Sequence, residues 1–401
     1  MKRSKGRLLI IIGLGCLVLL LSMVWAIAPS VVDRRFNRVT QVLFDPVDPT
    51  TQVLHESLAI ADLHADSLLW GRNLAQRNNY GHVDLPRLID SNVALQVFTV
   101  VTKVPTPLLL DGNPDTSDTI IQLALLQRWP FSTWFSLSQR ALFQSKRLHE
   151  LGQKYKRKEG QTEGQSFRII ETQQDLTDYL AQRQLSSSMT AGLLGIEGAQ
   201  ALDGNLKTLE KLYEAGFRLV GLAHFFDNEV SGSAHGLNKG GLTPFGKQVI
   251  QRLDERHMII DLAHASATTI DEVVQLTQRP VIISHTGVKG TCDNQRNLSD
   301  RQLRQIAQTG GIIGIGFWRT AVCGDDVNAI VRAIRYTVDQ VGVDHVALGS
   351  DFDGAVTMPL NVAHLNQITQ ALQQEGFSDT EIRQIMGENV IQFLQRLLPT
   401  K

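Results

Sequence analysis

The chain has 401 residues, of which 43% are hydrophobic and 20% charged, the balance of a globular protein with a large core. Its 39 basic and 40 acidic residues leave a formal charge of -1 and a pI of about 6.8. No global field favours nucleic acid or an anionic surface, so nucleic-acid binding is set aside.

The N-terminus departs from that average. Lys2, Arg3, Lys5 and Arg7 precede an apolar run from Leu8 to Ala28. At about 1.5 Å per residue the run just spans a hydrocarbon core of roughly 30 Å. The flanking positive charge should stay in the cytoplasm and send the rest of the chain outward. Ala26-Ile27-Ala28 also looks like a signal-peptide cleavage site, but Pro29 directly after it disfavours cleavage. The expectation is an uncleaved transmembrane anchor over 1–28, seated in the lipid bilayer, with everything beyond it periplasmic or extracellular. Residues 29–56 read as a linker and lead-in segment. Cys292 and Cys323 form an even pair on the exported side, where a disulfide is chemically permitted.

Past residue 57, short apolar runs alternate with amphipathic helical patterns. The runs are Leu58 to Leu63, Val93 to Val101, Ala191 to Ile196, Arg218 to Ala223, Met258 to Ala263, Val281 to Ser284, Ile312 to Phe317 and His345 to Gly349. Continuous rather than alternating apolarity predicts strands buried on both faces, as in parallel sheets. The helices between them carry their own start signals. Thr243-Pro244 supplies a cap and an N1 proline, and Ser299/Gln302 and Ser378/Glu381 read as capping boxes. Eight strands with intervening helices predict an α/β fold, a (β/α)8 TIM barrel over 57–401. The stretch 105–171, polar and helical in tone, reads as an insertion after the second strand.

A barrel of this type places its active site at the C-terminal ends of its strands. Six of the eight runs end in a potential ligand: His64 and Asp66, Glu197, His224, His264, His285, and the Asp351-Phe352-Asp353 segment. His64 and Asp66 are two residues apart, so on an extended strand both face one side. Glu197 has two oxygens and can bridge two cations. Imidazole mixed with carboxylate suits zinc, with manganese or another divalent ion as competitors. Two such ions can share and deprotonate one water. Any one of these histidines alone would read as a hydrogen-bonded core residue, as do His55, His82, His149, His257, His345 and His364. Their convergence argues for a metal site.

Seven motifs carry a family resemblance. They are Asp62-Leu63-His64-Ala65-Asp66, Val83-Asp84-Leu85-Pro86-Arg87-Leu88, Gly195-Ile196-Glu197-Gly198, Gly241-Leu242-Thr243-Pro244-Phe245-Gly246, Asp261-Leu262-Ala263-His264, Ile283-Ser284-His285 and Ser350-Asp351-Phe352-Asp353-Gly354. In this order the chain resembles the membrane dipeptidase (renal dipeptidase) family of zinc peptidases. The likeness runs from about Ile60 to the C-terminus, apart from a segment around Pro105 to Gln165. It implies a binuclear zinc dipeptidase. His64, Asp66 and Glu197 would bind one zinc, and Glu197, His264 and His285 the second. His224 would contact the scissile carbonyl, Arg296 would receive the dipeptide carboxylate, and Asp351 would handle the proton of a bridging water. Relatives also carry a disulfide at positions matching Cys292 and Cys323. Asp353 is the rival of Asp351, because Asp-x-Asp spacing puts both on one side of an extended chain.

Two departures bear on substrate. Phe225-Phe226-Asp227-Asn228 follows His224 where relatives carry a polar, tryptophan-containing stretch. Phe317, Trp318 and Thr320 occupy a region where relatives place a tyrosine. The alternative reading is an amidohydrolase of the same scaffold acting on lactams, cyclic amides or N-acyl amino acids. The partners that follow are dipeptides and the bilayer, and a homodimer is compatible with both readings.

Overall fold

The computed structural model describes residues 2–40, 44–156 and 164–400, and within the first helix it leaves out the side chains of 2–11, 17–22 and 24. Eight strands form the barrel: β1 Ile60–Ala65, β2 Val93–Phe98, β3 Met189–Ile196, β4 Phe217–Gly221, β5 Ile259–Asp261, β6 Ile282–Thr286, β7 Ile312–Ile315 and β8 Val346–Leu348. Each pairs in parallel with the next, and β8 closes on β1 through Leu348 and Asp62. Every residue of all eight strands is buried. That is why the sequence shows runs rather than alternation: one face meets the barrel interior and the other the helical layer. All eight predicted runs overlap the observed strands.

The helices start where the local chemistry dictates. Thr243 caps Pro244–Glu255, its hydroxyl accepting from Gly246 N at 2.9 Å. Ser299 with Gln302 and Ser378 with Glu381 form complete capping boxes. Cys292 and Cys323 are joined by a disulfide, their Cα atoms 5.2 Å apart. It ties the segment after β6 to the segment after β7.

The region between β2 and β3 differs from expectation. Besides helices Ile120–Leu126, Leu137–Lys154 and Gln173–Leu185 it contains a strand, Ser166–Ile169, paired with the start of β3. Phe167 on that strand packs edge-on against Phe98, the ring centroids 6.0 Å apart. An apolar anchor inside a polar stretch is too short a pattern to separate from helix.

The N-terminal expectation also changes. One helix, Lys2–Phe36, runs straight through Pro29. Among the described residues no helix is long and apolar enough to cross a membrane, and many side chains of the Leu8–Ala28 run lie outside those residues. Residues 29–40 are docked rather than strung out as a linker. Asp33 and Asn37 are buried, and Arg38–Val39 pairs in parallel with Thr357–Met358. Buried polar groups hold this segment together with Val32 and Phe36, which pack against the cluster around Trp70, and two isolated apolar contacts make no periodic pattern.

Candidate active site

At the C-terminal mouth of the barrel lies a cavity of about 320 Å³. Asp66, Glu197, His224, His264, His285, Arg296 and Asp351 line it. His64, on β1, is fully buried directly behind them. Residues from six strand ends therefore meet at one place.

Glu197, just past β3, is the hub. Its Oε1 lies 3.0 Å from His264 Nε2, 3.4 Å from His285 Nε2 and 3.6 Å from His64 Nε2. Its Oε2 lies 3.3 Å from His224 Nε2. His64 Nε2 is also 3.5 Å from Asp66 Oδ1, and it has no hydrogen-bond partner. On its other side His64 Nδ1 is 3.0 Å from Ser284 Oγ. Asp66 is steered by Thr99, whose hydroxyl donates to Oδ1 at 2.6 Å.

These groups fit divalent cations. Three sets, His64/Asp66/Glu197, Glu197/His224/His264 and His64/His285/Asp351, each present ligand atoms within 4.8 Å of one another. A buried imidazole nitrogen left without a partner among carboxylates is costly unless a cation completes it. The electrostatics point the same way. Burial works against the charged form of His64, yet the Glu197 and Asp66 carboxylates hold its pKa up at about 10. Burial, reinforced by the Asp66 carboxylate, pushes Glu197 well above the ordinary carboxylate range. Burial does the same to Asp351. His224, His264 and His285 are pushed well below the usual imidazole value by burial, so their lone pairs are free to coordinate.

The Asp-x-Asp segment is not extended. Asp351 has φ +62° and Asp353 φ +64°, a left-handed backbone that sends the two side chains to different places. Asp351 faces the cavity. Asp353 turns into a separate network, where it accepts from Ser67 Oγ at 2.5 Å and His82 N at 2.6 Å and pairs with Arg72. The expectation that both share one side is wrong for that reason. Two other acidic members of the motifs are also structural. Asp62 accepts from Ser350 N at 2.8 Å, and Asp261 from Ser284 N at 2.8 Å.

Arg296 lines the same cavity beside His285. Its Nη2 donates to His285 O at 2.8 Å and its Nη1 lies 3.4 Å from Thr286 Oγ1. Its buried Nε is unpartnered. Burial lowers its pKa to about 10, which still leaves it charged at neutral pH.

Comparison with known proteins settles the family. A family profile described as membrane dipeptidase (peptidase family M19) matches residues 49–398. The chain belongs to the membrane dipeptidase family. It is thus a metal-dependent hydrolase of the dipeptidase type. A curated Klebsiella pneumoniae protein, described as an uncharacterized protein in the pqqA 5' region, is 32% identical over 218 residues, covering 50% of this chain and 80% of its own. Two solved structures share the fold. One is the probable dipeptidase PvdM from Pseudomonas aeruginosa, with TM-score 0.70 and 20% identity over 87% of this chain and 98% of that one. The other is a Rhodobacter sphaeroides metallo peptidase liganded with a phosphinate mimic of the dipeptide L-Ala-D-Ala, with TM-score 0.65 and 23% identity over 85% and 99%.

Sequence reasoning missed part of this dipeptidase pocket. His235, buried on the loop after β4, lines it, with Nδ1 2.7 Å from Leu110 O; burial takes its pKa to about 4. Leu108, Leu109 and Leu110 of the insertion form an apolar wall, with Phe225 and Trp318 also in the lining. The one signal was Ser-Gly-Ser-Ala-His-Gly, a histidine in a loop of small residues after a ligand-bearing strand.

Proposed function

We propose that the protein is a binuclear zinc dipeptidase. The observation that carries this is Glu197, whose carboxylate lies within 3.6 Å of four imidazoles, those of His264, His285 and His64 at Oε1 and that of His224 at Oε2. His64, Asp66 and Glu197 would hold one ion, and Glu197, His264 and His285 the other. Two divalent ions held there would supply a water that is deprotonated at neutral pH.

The chain's own groups do the rest. Asp351 takes the water proton at its carboxylate and returns it to the departing amine. His224 is placed to contact the scissile carbonyl oxygen. Arg296 receives the substrate carboxylate, which measures chain length and explains a preference for two residues. The cavity of about 320 Å³ suits a small peptide. The L-Ala-D-Ala mimic on the Rhodobacter sphaeroides structure supports dipeptides as substrates here.

Membrane anchorage through residues 1–28 and an extracytoplasmic barrel belong to the same proposal. The Cys292–Cys323 disulfide supports the oxidising side of a membrane.

The test is hydrolysis of L-L and L-D dipeptides by zinc-loaded protein, with a tripeptide control and metal analysis. Cleavage of dipeptides alone with two ions bound is expected. A single ion, or equal cleavage of the tripeptide, would overturn the reading.

A further inference from the structure

Among the described residues, four buried ring nitrogens at the cavity lack a hydrogen-bond partner, and two of them, His264 Nδ1 and His235 Nε2, are on neighbouring rings. Their ring centroids are 5.0 Å apart. The same separation for His264 and His285 is 4.9 Å, and there the facing nitrogens approach to 2.9 Å. Rings at this separation come within hydrogen-bond reach when the two nitrogens are turned toward each other.

The tautomers agree with that contact. A carbonyl oxygen can only accept, so the Leu110 carbonyl requires a hydrogen on His235 Nδ1. A neutral His235 then has a bare lone pair on Nε2. His264 must keep a lone pair on Nε2, the nitrogen facing Glu197, if it is to bind metal, so its hydrogen belongs on Nδ1. One unpartnered donor and one unpartnered acceptor thus sit on neighbouring rings. Metal-ligating histidines nearly always donate their second N–H in this way.

The loop carrying His235 is built to hold still. Ala234 N donates to His264 O at 2.8 Å, tying the two segments side by side. Asp227 accepts from Ser233 N at 2.8 Å and Asn238 N at 2.7 Å, closing the loop on itself. From the other side, Asn113 N donates to His235 O at 2.9 Å, and Gln295 Nε2 donates to the same Leu110 carbonyl at 2.6 Å.

We propose that His235 is a positioning residue for His264, accepting the hydrogen bond of its Nδ1–H and linking the 105–113 segment to the metal centre. The proposal rests on His264 being a ligand, as assigned above.

The experiment compares His235→Phe and His235→Gln in the full chain. Metal affinity is read by competition with a chromophoric chelator. His235→Phe should weaken one of two ions by about 10–100-fold, the range for lost partners of ligating histidines, and leave the other unchanged. His235→Gln, whose amide oxygen can accept, should recover part of that loss. Asn113→Ala keeps the backbone N–H to His235 O but removes the side-chain bonds to Leu109 N, Leu109 O and His235 O; it should weaken the same ion by less, and it replaces His235→Phe if that variant does not fold. A second readout needs no metal. In nitrogen-15 histidine spectra of the metal-free chain, His264 should carry its hydrogen on Nδ1, and His235→Phe should shift it toward Nε2 more than His235→Gln does. Two ions held at wild-type affinity, or an unaltered His264 tautomer, would overturn the proposal. A wild-type chain that binds no ion but shows the tautomer shift would sink the two-ion reading and leave the contact standing.

Discussion

Two clusters of buried charge flank the end of β8, and they treat their polar atoms in opposite ways. The first is Asp33, Arg72, His82 and Asp353. Arg72 Nη1 meets both oxygens of Asp33 at 2.8 Å, its Nη2 pairs with Asp353, and His82 Nδ1 accepts from Asp353 N at 2.8 Å. Only the Arg72 Nε is left over. The second is the Glu197 hub, where buried nitrogens of His64, His224, His264 and Arg296 have no partner. Both clusters are buried and ionic, so burial and charge alone do not tell them apart. Satisfaction does: a closed network holds the fold, while an open one at a cavity awaits a ligand.

The largest expected effect separates the two aspartates. Asp351→Asn should keep its metal yet lower kcat by roughly 10²–10⁴-fold, the range for lost proton transfer. Asp353→Asn should instead cost about 3–5 kcal/mol of stability, because it leaves Arg72 buried with half its pairing removed. Single-turnover kinetics and denaturant melts of both variants check this. Stable but inactive Asp353→Asn beside active Asp351→Asn would reverse the assignment.

Acid should act on the first cluster next. Burial lowers the His82 pKa to about 4 against Arg38 and Asp353 contacts that favour charge. Its Nδ1 is occupied by the Asp353 N–H, so protonation there breaks a native bond. The folded pKa lies below the unfolded value near 6.5, so the unfolded state binds the proton first. Stability is complete above about pH 6.5 and falls as pH drops toward 4, by roughly 3 kcal/mol for this group. His82→Asn keeps an acceptor at the Nδ1 position and does not titrate. Its melts should lose stability less steeply over that window. An identical slope would remove His82 from the acid response.

How much of this the sequence reveals follows from what each feature is made of. Barrel strands bury both faces, so residues such as Ile312 to Phe317 appear as unbroken apolar runs. The chemistry then sits at their ends by topology alone, which is why Glu197 and His285, far apart in the chain, could be placed together. The features that stayed hidden depend on backbone shape or on polar docking. The left-handed Asp351 and Asp353 defeat a rule built for extended chain. The Asp33–Arg72 pair is polar and distant in sequence, so nothing in the N-terminal pattern announces it. His235 is aimed by hydrogen bonds to Leu110, a residue whose position no periodicity predicts.

The smallest effect tests whether the open cluster extends to Arg296. This residue resembles Arg72 in being buried, yet its contacts are of another kind. Arg72 spends its guanidinium on two carboxylates, whereas Arg296 meets only a carbonyl and a hydroxyl. No carboxylate in the site forms an ion pair with Arg296, so the carboxylate it is suited to grip would arrive with the substrate. Arg296→Lys preserves the charge but replaces a planar fork with a point donor. KM for dipeptides should rise about tenfold, equivalent to about 1.4 kcal/mol of lost ground-state and transition-state binding alike. kcat and metal content should change little, since no ligand atom moves. A drop in kcat at constant KM would mean that Arg296 acts on the transition state instead. An unchanged KM would place it with Arg72 among residues that only hold the barrel mouth together.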